Sequence, residues 1–306
     1  MKFFAAIFVS ALVLGISSCN ENIAKSSVAT ESPYFNNADH IINVEGLDVR
    51  YRDEGPQEAE TLIMVHGFTS SLESWDDLAK NLANDYRVIR LDLPGHGLTG
   101  PDSQKRYSNE ETVAFLGDFI NALDVEAPVL IGNSLGGLVS WRVAAQSPEK
   151  VSKLVLVSPG GYSINGVTDE PVDVPMMLKF YLTKAPEAGV RQATSSLYAN
   201  PETLSEERVT TIQYMMQRPG NGDAFVERLS VFTLPDPTID LEKVKSPTLV
   251  VWGQQDKMIP VSQADWFSDA LPNSTLKIYE NAGHVPQEET PEQLAEDIRL
   301  FLESAE

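Results

Sequence analysis

Cysteine is nearly missing from this chain: Cys19 is the only one in 306 residues, so no internal disulfide can form. Positive charge is also short. There are 23 Lys and Arg against 44 Asp and Glu, a formal charge of −21, and nowhere a run of basic residues. A nucleic-acid surface needs a basic stripe, so nucleic acid is excluded as a partner. No set of His and Cys has metal-ligand spacing, and neither a metal nor a cofactor is expected. There is no internal repeat. The apolar stretch at residues 3–16 is too short to span a bilayer comfortably as a helix. What the chain does have is 42% apolar residues, ample for a buried core.

The first nineteen residues, "MKFFAAIFVSALVLGISSC", run from a basic Lys2 through an apolar stretch to small residues and Cys19. That is the layout of a secretory signal. "ISSC" resembles the lipobox of bacterial lipoproteins, in which the cysteine becomes the first mature residue and carries lipid; a plain signal with an incidental cysteine is the alternative. The expectation is therefore a signal peptide over 1–18, a lipid anchor at Cys19 and a polar, flexible tether over 19–39. The implied location is the bacterial envelope, at the outer membrane or its periplasmic face.

Strand and helix signals then alternate. "HIINVEGLDVRYRDEG" suits an antiparallel edge pair turning at Glu45-Gly46. "TLIMVHG", "YRVIRLDLPG", "APVLIGNS", "SKLVLVSPG", "SPTLVVWGQQD" and "STLKIYENAGH" each read as a buried strand feeding a loop. Helical patterns fall at 72–84, 109–123 behind a Ser108-x-x-Glu111 capping box, 135–146, 262–271 and 291–302. This order predicts a mostly parallel sheet covered by helices on both faces. Residues 159–237 break the rhythm. They hold helical pieces and no evident buried strand, and predict a helical cap inserted between two strands of a core formed by 40–158 and 238–306. Met176, Met177, Met215 and Met216 fall here with Phe180, Tyr181, Tyr198, Tyr214 and Phe225, and are expected to pack the insertion and build an apolar pocket.

Gly132-Asn133-Ser134-Leu135-Gly136 matches G-x-S-x-G. Composition alone makes the match weak, but its setting between an apolar strand and a helix is that of a nucleophile on a tight elbow. Gly132 and Gly136 would give the elbow clearance. A serine hydroxyl needs a base to take its proton. Of four histidines (His40, His66, His96, His284), only His284 follows the serine, in a glycine-containing loop past a strand. Asp256, also past a strand and between the other two, is the favoured third member; Asp265 and Asp269 compete by proximity but read as exposed helix charges. The order Ser134, Asp256, His284 is that of an elbow-type triad. Oxyanion donors are expected at the amides of Leu135 and of Phe68 in "VHGFTSS".

These blocks, with "HGFTSSLESW" (66–75), "DLPGHGLT" (92–99), "GNSLGG" (132–137), "VVWGQQDKMIP" (251–260) and "NAGHVP" (281–286), resemble the α/β-hydrolase fold family over residues 40–303. The resemblance implies a triad of Ser134, Asp256 and His284, oxyanion amides at Phe68 and Leu135, and a helical cap. It excludes relatives with an aspartate nucleophile. "GNSLGG" is similar to the blocks of carbon-carbon bond hydrolases of ring-fission products and of bacterial lipases and esterases. The leading expectation is a serine hydrolase that cleaves carboxylic esters with an apolar acyl or alcohol group through an acyl-enzyme. Carbon-carbon hydrolysis of the meta-cleavage-product type and a non-catalytic, ligand-binding relative are the alternatives.

Overall fold

The computed structural model describes residues 30–304, so the expected signal peptide and Cys19 lie outside the described residues. The chain divides at Asn36–Asn37 into a short N-terminal unit and a main unit. In the described part of the first, the Phe35 amide closes a turn on the Ser32 carbonyl at 3.0 Å. All that follows concerns the main unit.

Eight strands form one sheet: β1 (Asp39–Val44), β2 (Leu47–Glu54), β3 (Thr61–Val65), β4 (Arg87–Leu91), β5 (Val129–Asn133), β6 (Leu154–Val157), β7 (Thr248–Gly253) and β8 (Ser274–Tyr279). Their order is β1-β2-β4-β3-β5-β6-β7-β8; β1 and β2 pair antiparallel, β2 joins β4 antiparallel, and the other pairs are parallel. The hairpin turns at Glu45 and Gly46, both in the left-handed region, as two-residue hairpins require. The tether was expected to run through residue 39, yet β1 already starts at Asp39. Its carboxylate bonds Arg50 at 3.0 Å and Arg52 at 2.8 Å across the hairpin, which makes this residue part of the sheet.

Alternate residues of the inner strands feed opposite faces. Ile63 and Val65 of β3 face one apolar layer, Leu62 and Met64 the other. Such residues are fully buried, each contributing about 1.5–3 kcal/mol of transfer energy. The first layer is closed by α2 (Asn109–Ala122), α3 (Leu135–Gln146) and α8 (Ser262–Ala270), the second by α1 (Asp76–Leu82) and α9 (Pro291–Ser304). Ser108 caps α2 with the expected box: its hydroxyl accepts from the Glu111 amide while Glu111 accepts from the Ser108 amide. Two expectations are corrected. The 72–84 helix is split, its first turn being a 3-10 turn (Leu72–Trp75) where the carboxylate of Asp92 takes the Leu72 amide. β8 is an edge strand with exposed positions through much of its length, because it pairs only with β7.

Between β6 and β7 stand α4 (Met176–Lys184), α5 (Glu187–Ser195), α6 (Glu206–Gln217) and α7 (Asn221–Val231), followed by the short helix Thr238–Leu241. The first four share a small core of Leu182, Val190, Val209, Ile212, Met216 and Phe225. The methionine-aromatic set splits in two. Met215, Met216, Tyr198 and Phe225 are buried, but Met176 (84% exposed), Met177 and Phe180 face outward, since α4 buries only Leu182. Sequence order reverses at β3, with β4 on one side and β5 on the other, and a crevice opens at such a point beyond the strands' carboxyl ends.

Candidate active site

Ser134 follows β5 at that crevice. Its backbone sits at φ 55° and ψ −115°, a strained conformation for a residue with a side chain. The surroundings hold it there: its amide donates to the Val157 carbonyl at 3.2 Å, and its carbonyl accepts from Leu138 and Gly160 at 2.9 Å each. The flanking glycines are sterically required. A Cβ on Gly136 would lie 2.0 Å from the Val65 carbonyl oxygen, and one on Gly132 would lie 2.4 Å from that of Gly136. A serine before a helix normally caps it, yet the Ser134 hydroxyl makes no capping bond to α3. It stands at the positive end of that helix.

His284 and Asp256 meet across 28 residues, Nδ1 to Oδ2 at 2.8 Å, with both side chains buried. The carboxylate is aimed by the amides of Met258 and Ile259, which donate to its other oxygen at 2.8 and 2.9 Å. An Nδ1–H held this way leaves Nε2 free to accept a proton. Asp265 and Asp269 are exposed on α8. Asn133 was not singled out from sequence. Its side-chain amide donates to the carbonyls of Val157 and His284, both at 3.0 Å, and so ties the serine turn to the histidine loop.

Ser134, His284, Gly67 and Phe68 line one cavity of about 320 Å³. The loop after β3 is shaped by a second residue without an expected role, His66. Its Nδ1–H donates to the Gly67 carbonyl at 2.7 Å, and its Nε2 accepts from the Leu93 amide at 3.1 Å. Because a trans peptide keeps C=O and N–H on opposite sides, this turns the Phe68 amide away from His66. Among the described residues, neither the Phe68 nor the Leu135 amide has a backbone acceptor outside regular structure. Two uncommitted donors beside a serine can stabilise negative charge on an oxygen.

Burial pushes His66 down to about 4, and the adjoining His96 well below the ordinary value. The folded chain therefore refuses a proton that the unfolded chain accepts near 6.5. The stability His66 contributes is complete above that value and is lost as pH falls through 4, about 3 kcal/mol in full. Urea midpoints measured from pH 7 to 4 should fall more steeply for the wild type than for His66→Gln. Asp92, raised to about 6 by its own burial, acts in the opposite sense but is present in both proteins and cancels in the comparison. Equal slopes would show that His66 is not held neutral.

Further residues emerge where the insertion meets the histidine loop. Glu288 accepts from Arg208 Nε at 2.7 Å, Arg208 Nη2 at 2.8 Å and the Tyr198 hydroxyl at 2.6 Å. Glu289 accepts from the Gly283 and Ala199 amides. In the amino-acid order they are only a pair of acids following His284-Val285-Pro286-Gln287, and nothing local names their partners.

A serine on a strained strand-to-helix turn, beside a buried histidine–aspartate pair at the reversal point of a parallel sheet, defines a hydrolase of the α/β type. The chain belongs to the α/β-hydrolase fold family, whose model matches residues 60–291. It is 27% identical over 264 residues to 2-hydroxy-6-oxononadienedioate/2-hydroxy-6-oxononatrienedioate hydrolase 2 of Pseudomonas putida, covering 84% of this chain and 92% of that one. It is 28% identical over 267 residues to monoacylglycerol lipase ABHD6 of Mus musculus, covering 81% and 77%. Among solved structures, a membrane phospholipase A described as a bacterial virulence factor superposes with a TM-score of 0.76 at 25% identity, covering 94% of this chain and 90% of its own.

Proposed function

We propose that the protein is a serine hydrolase of carboxylic esters whose acyl or alcohol part is apolar. The observation that carries this reading is the cavity: Ser134 and His284 open onto it, and Leu178, Leu182, Ile212, Met258 and Val285 make its wall apolar. Ser134 Oγ attacks the ester carbonyl while His284 Nε2 takes its proton. The carbonyl oxygen, now negative, rests on the amides of Phe68 and Leu135. His284 returns the proton to the departing alcohol, and Asp256 holds the imidazolium throughout. Water, activated by the same base, then releases the acid.

The same cavity disfavours a dianionic substrate of the carbon-carbon bond hydrolases. The Pseudomonas putida relative is named for dioates, and a dianion needs cations to receive it. Among the described residues lining this cavity the only cation is Arg208, which is already bidentate to Glu288. Turnover of p-nitrophenyl esters is expected to rise from acetyl to a medium acyl chain and to fall beyond the length the cavity holds. Activity on a ring-fission dioate with none on the ester series would overturn the proposal.

For the N-terminus we propose, on the sequence pattern, a lipid anchor at Cys19 that places the enzyme on a bacterial envelope membrane. No described helix is long and apolar enough to cross a membrane. Two or more acyl chains, at about 0.8 kcal/mol per buried methylene, hold a protein firmly. Wild-type protein should incorporate a tagged fatty acid that Cys19→Ala does not; an unlabelled wild type would refute the anchor.

A further inference from the structure

The proposed base is held by the insertion as well as by the sheet. Asp256 fixes the His284 ring and Asn133 its carbonyl, and both of these residues belong to the core. The His284 amide, by contrast, donates to the Leu197 carbonyl of the insertion at 2.7 Å. One residue earlier, the Gly283 amide donates to Glu289 Oε2 at 2.6 Å. The other oxygen of that carboxylate accepts from the Ala199 amide at 2.7 Å. The two segments also touch backbone to backbone, since a Cβ on Gly283 would lie 2.3 Å from the Leu197 oxygen and 2.8 Å from the Ala199 nitrogen. A single half-buried carboxylate thus bridges the residue before the base and a residue 84 positions earlier.

We propose that Glu289 is a positioning residue for hydrolysis: its carboxylate clamps residues 197–199 of the insertion to the His284 loop, so the placement of the general base depends on that part of the insertion being docked. The proposal rests on the reading of His284 as the base of a serine hydrolase. A carboxylate suits the task because both of its oxygens accept, and bonds to a charged acceptor are about twice as strong as neutral ones. An isosteric amide cannot replace it, since one of its two terminal atoms is a donor and would face a backbone N–H. Glu288 reinforces the same junction through Tyr198 and Arg208. The roof over the cavity and the base within it therefore share one fastening.

The test compares Glu289→Gln with the wild type, using p-nitrophenyl acetate turnover and fluorophosphonate labelling. If Glu289 positions the base, the variant labels to full stoichiometry but about tenfold or more slowly, and kcat falls by the same factor while KM stays close to the wild-type value. If only the labelled fraction drops and turnover per labelled site is unchanged, Glu289 merely stabilises the fold and the proposal is wrong. Native-state hydrogen exchange on the wild-type protein supplies a second reading that needs no variant. The amides of Ala199, Gly283 and His284 should exchange through one shared opening; exchange of Ala199 through a lower-energy opening than the other two overturns the clamp. A wild-type protein that neither labels nor hydrolyses esters would refute the hydrolase reading, and hydrogen exchange would still decide the clamp.

Discussion

Replacing Ser134 by alanine is expected to lower ester turnover by about 10⁵–10⁶-fold and to abolish fluorophosphonate labelling, with the melting temperature close to that of the wild type. The effect is large because Ser134 is the only hydroxyl carried on the strained turn at φ 55°, beside the cavity that also exposes His284. Stability should be spared for a related reason. Alanine keeps the Cβ, the Val157, Leu138 and Gly160 backbone bonds do not involve the side chain, and the hydroxyl caps nothing. KM should change little, since the apolar wall and the two uncommitted amides remain. Turnover within tenfold of the wild type, with labelling retained at another residue, would remove Ser134 from its role.

The second large effect is expected at Asp256. In Asp256→Asn the side-chain oxygen can still accept from the Met258 and Ile259 amides, so the loop keeps its shape. The NH2 group then faces His284 Nδ1, which must become an acceptor, and the proton moves to Nε2. A base protonated on the face it presents to serine cannot take the hydroxyl proton; a loss of about 10⁴-fold in kcat is the expected cost of the wrong tautomer. Asp265→Asn and Asp269→Asn are the matched controls, both in α8 with exposed side chains, and should leave kcat unchanged. A large loss in either control with Asp256→Asn active would reassign the acid.

The parts of this structure legible in the amino-acid order are those set by local chemistry. Short β-branched runs ending in glycine marked the strands, the Ser108 box marked the start of α2, and the G-x-S-x-G spacing marked the turn at Ser134 because both glycines lie two residues from it. The pairing of Asp256 with His284 followed from both ending parallel strands at the same edge. What escaped depends on partners far away in the chain. Glu289 finds Ala199 at a separation of 90 residues, and Asn133 finds His284 at 151. Methionine and aromatic content predicted a packed insertion, but residue type does not say which face of α4 has a neighbour, and Met176, Met177 and Phe180 have little cover. Asp39 read as tether because its arginine partners, Arg50 and Arg52, lie across a hairpin whose register only pairing sets.

The point at which the insertion departs has a consequence for how this enzyme can change. It leaves the sheet between β6 and β7, which are paired neighbours, so the sheet closes whatever the length of the excursion. Lengthening such a loop is cheap: doubling it costs only about 0.6 kcal/mol of closure entropy. Ser134, Asp256 and His284 thus sit on loops joined to the strands, while Leu178, Leu182 and Ile212 of the cavity wall come from the inserted helices. A different roof would still have to offer a carbonyl where Leu197 meets the His284 amide and a backbone N–H where Ala199 meets Glu289.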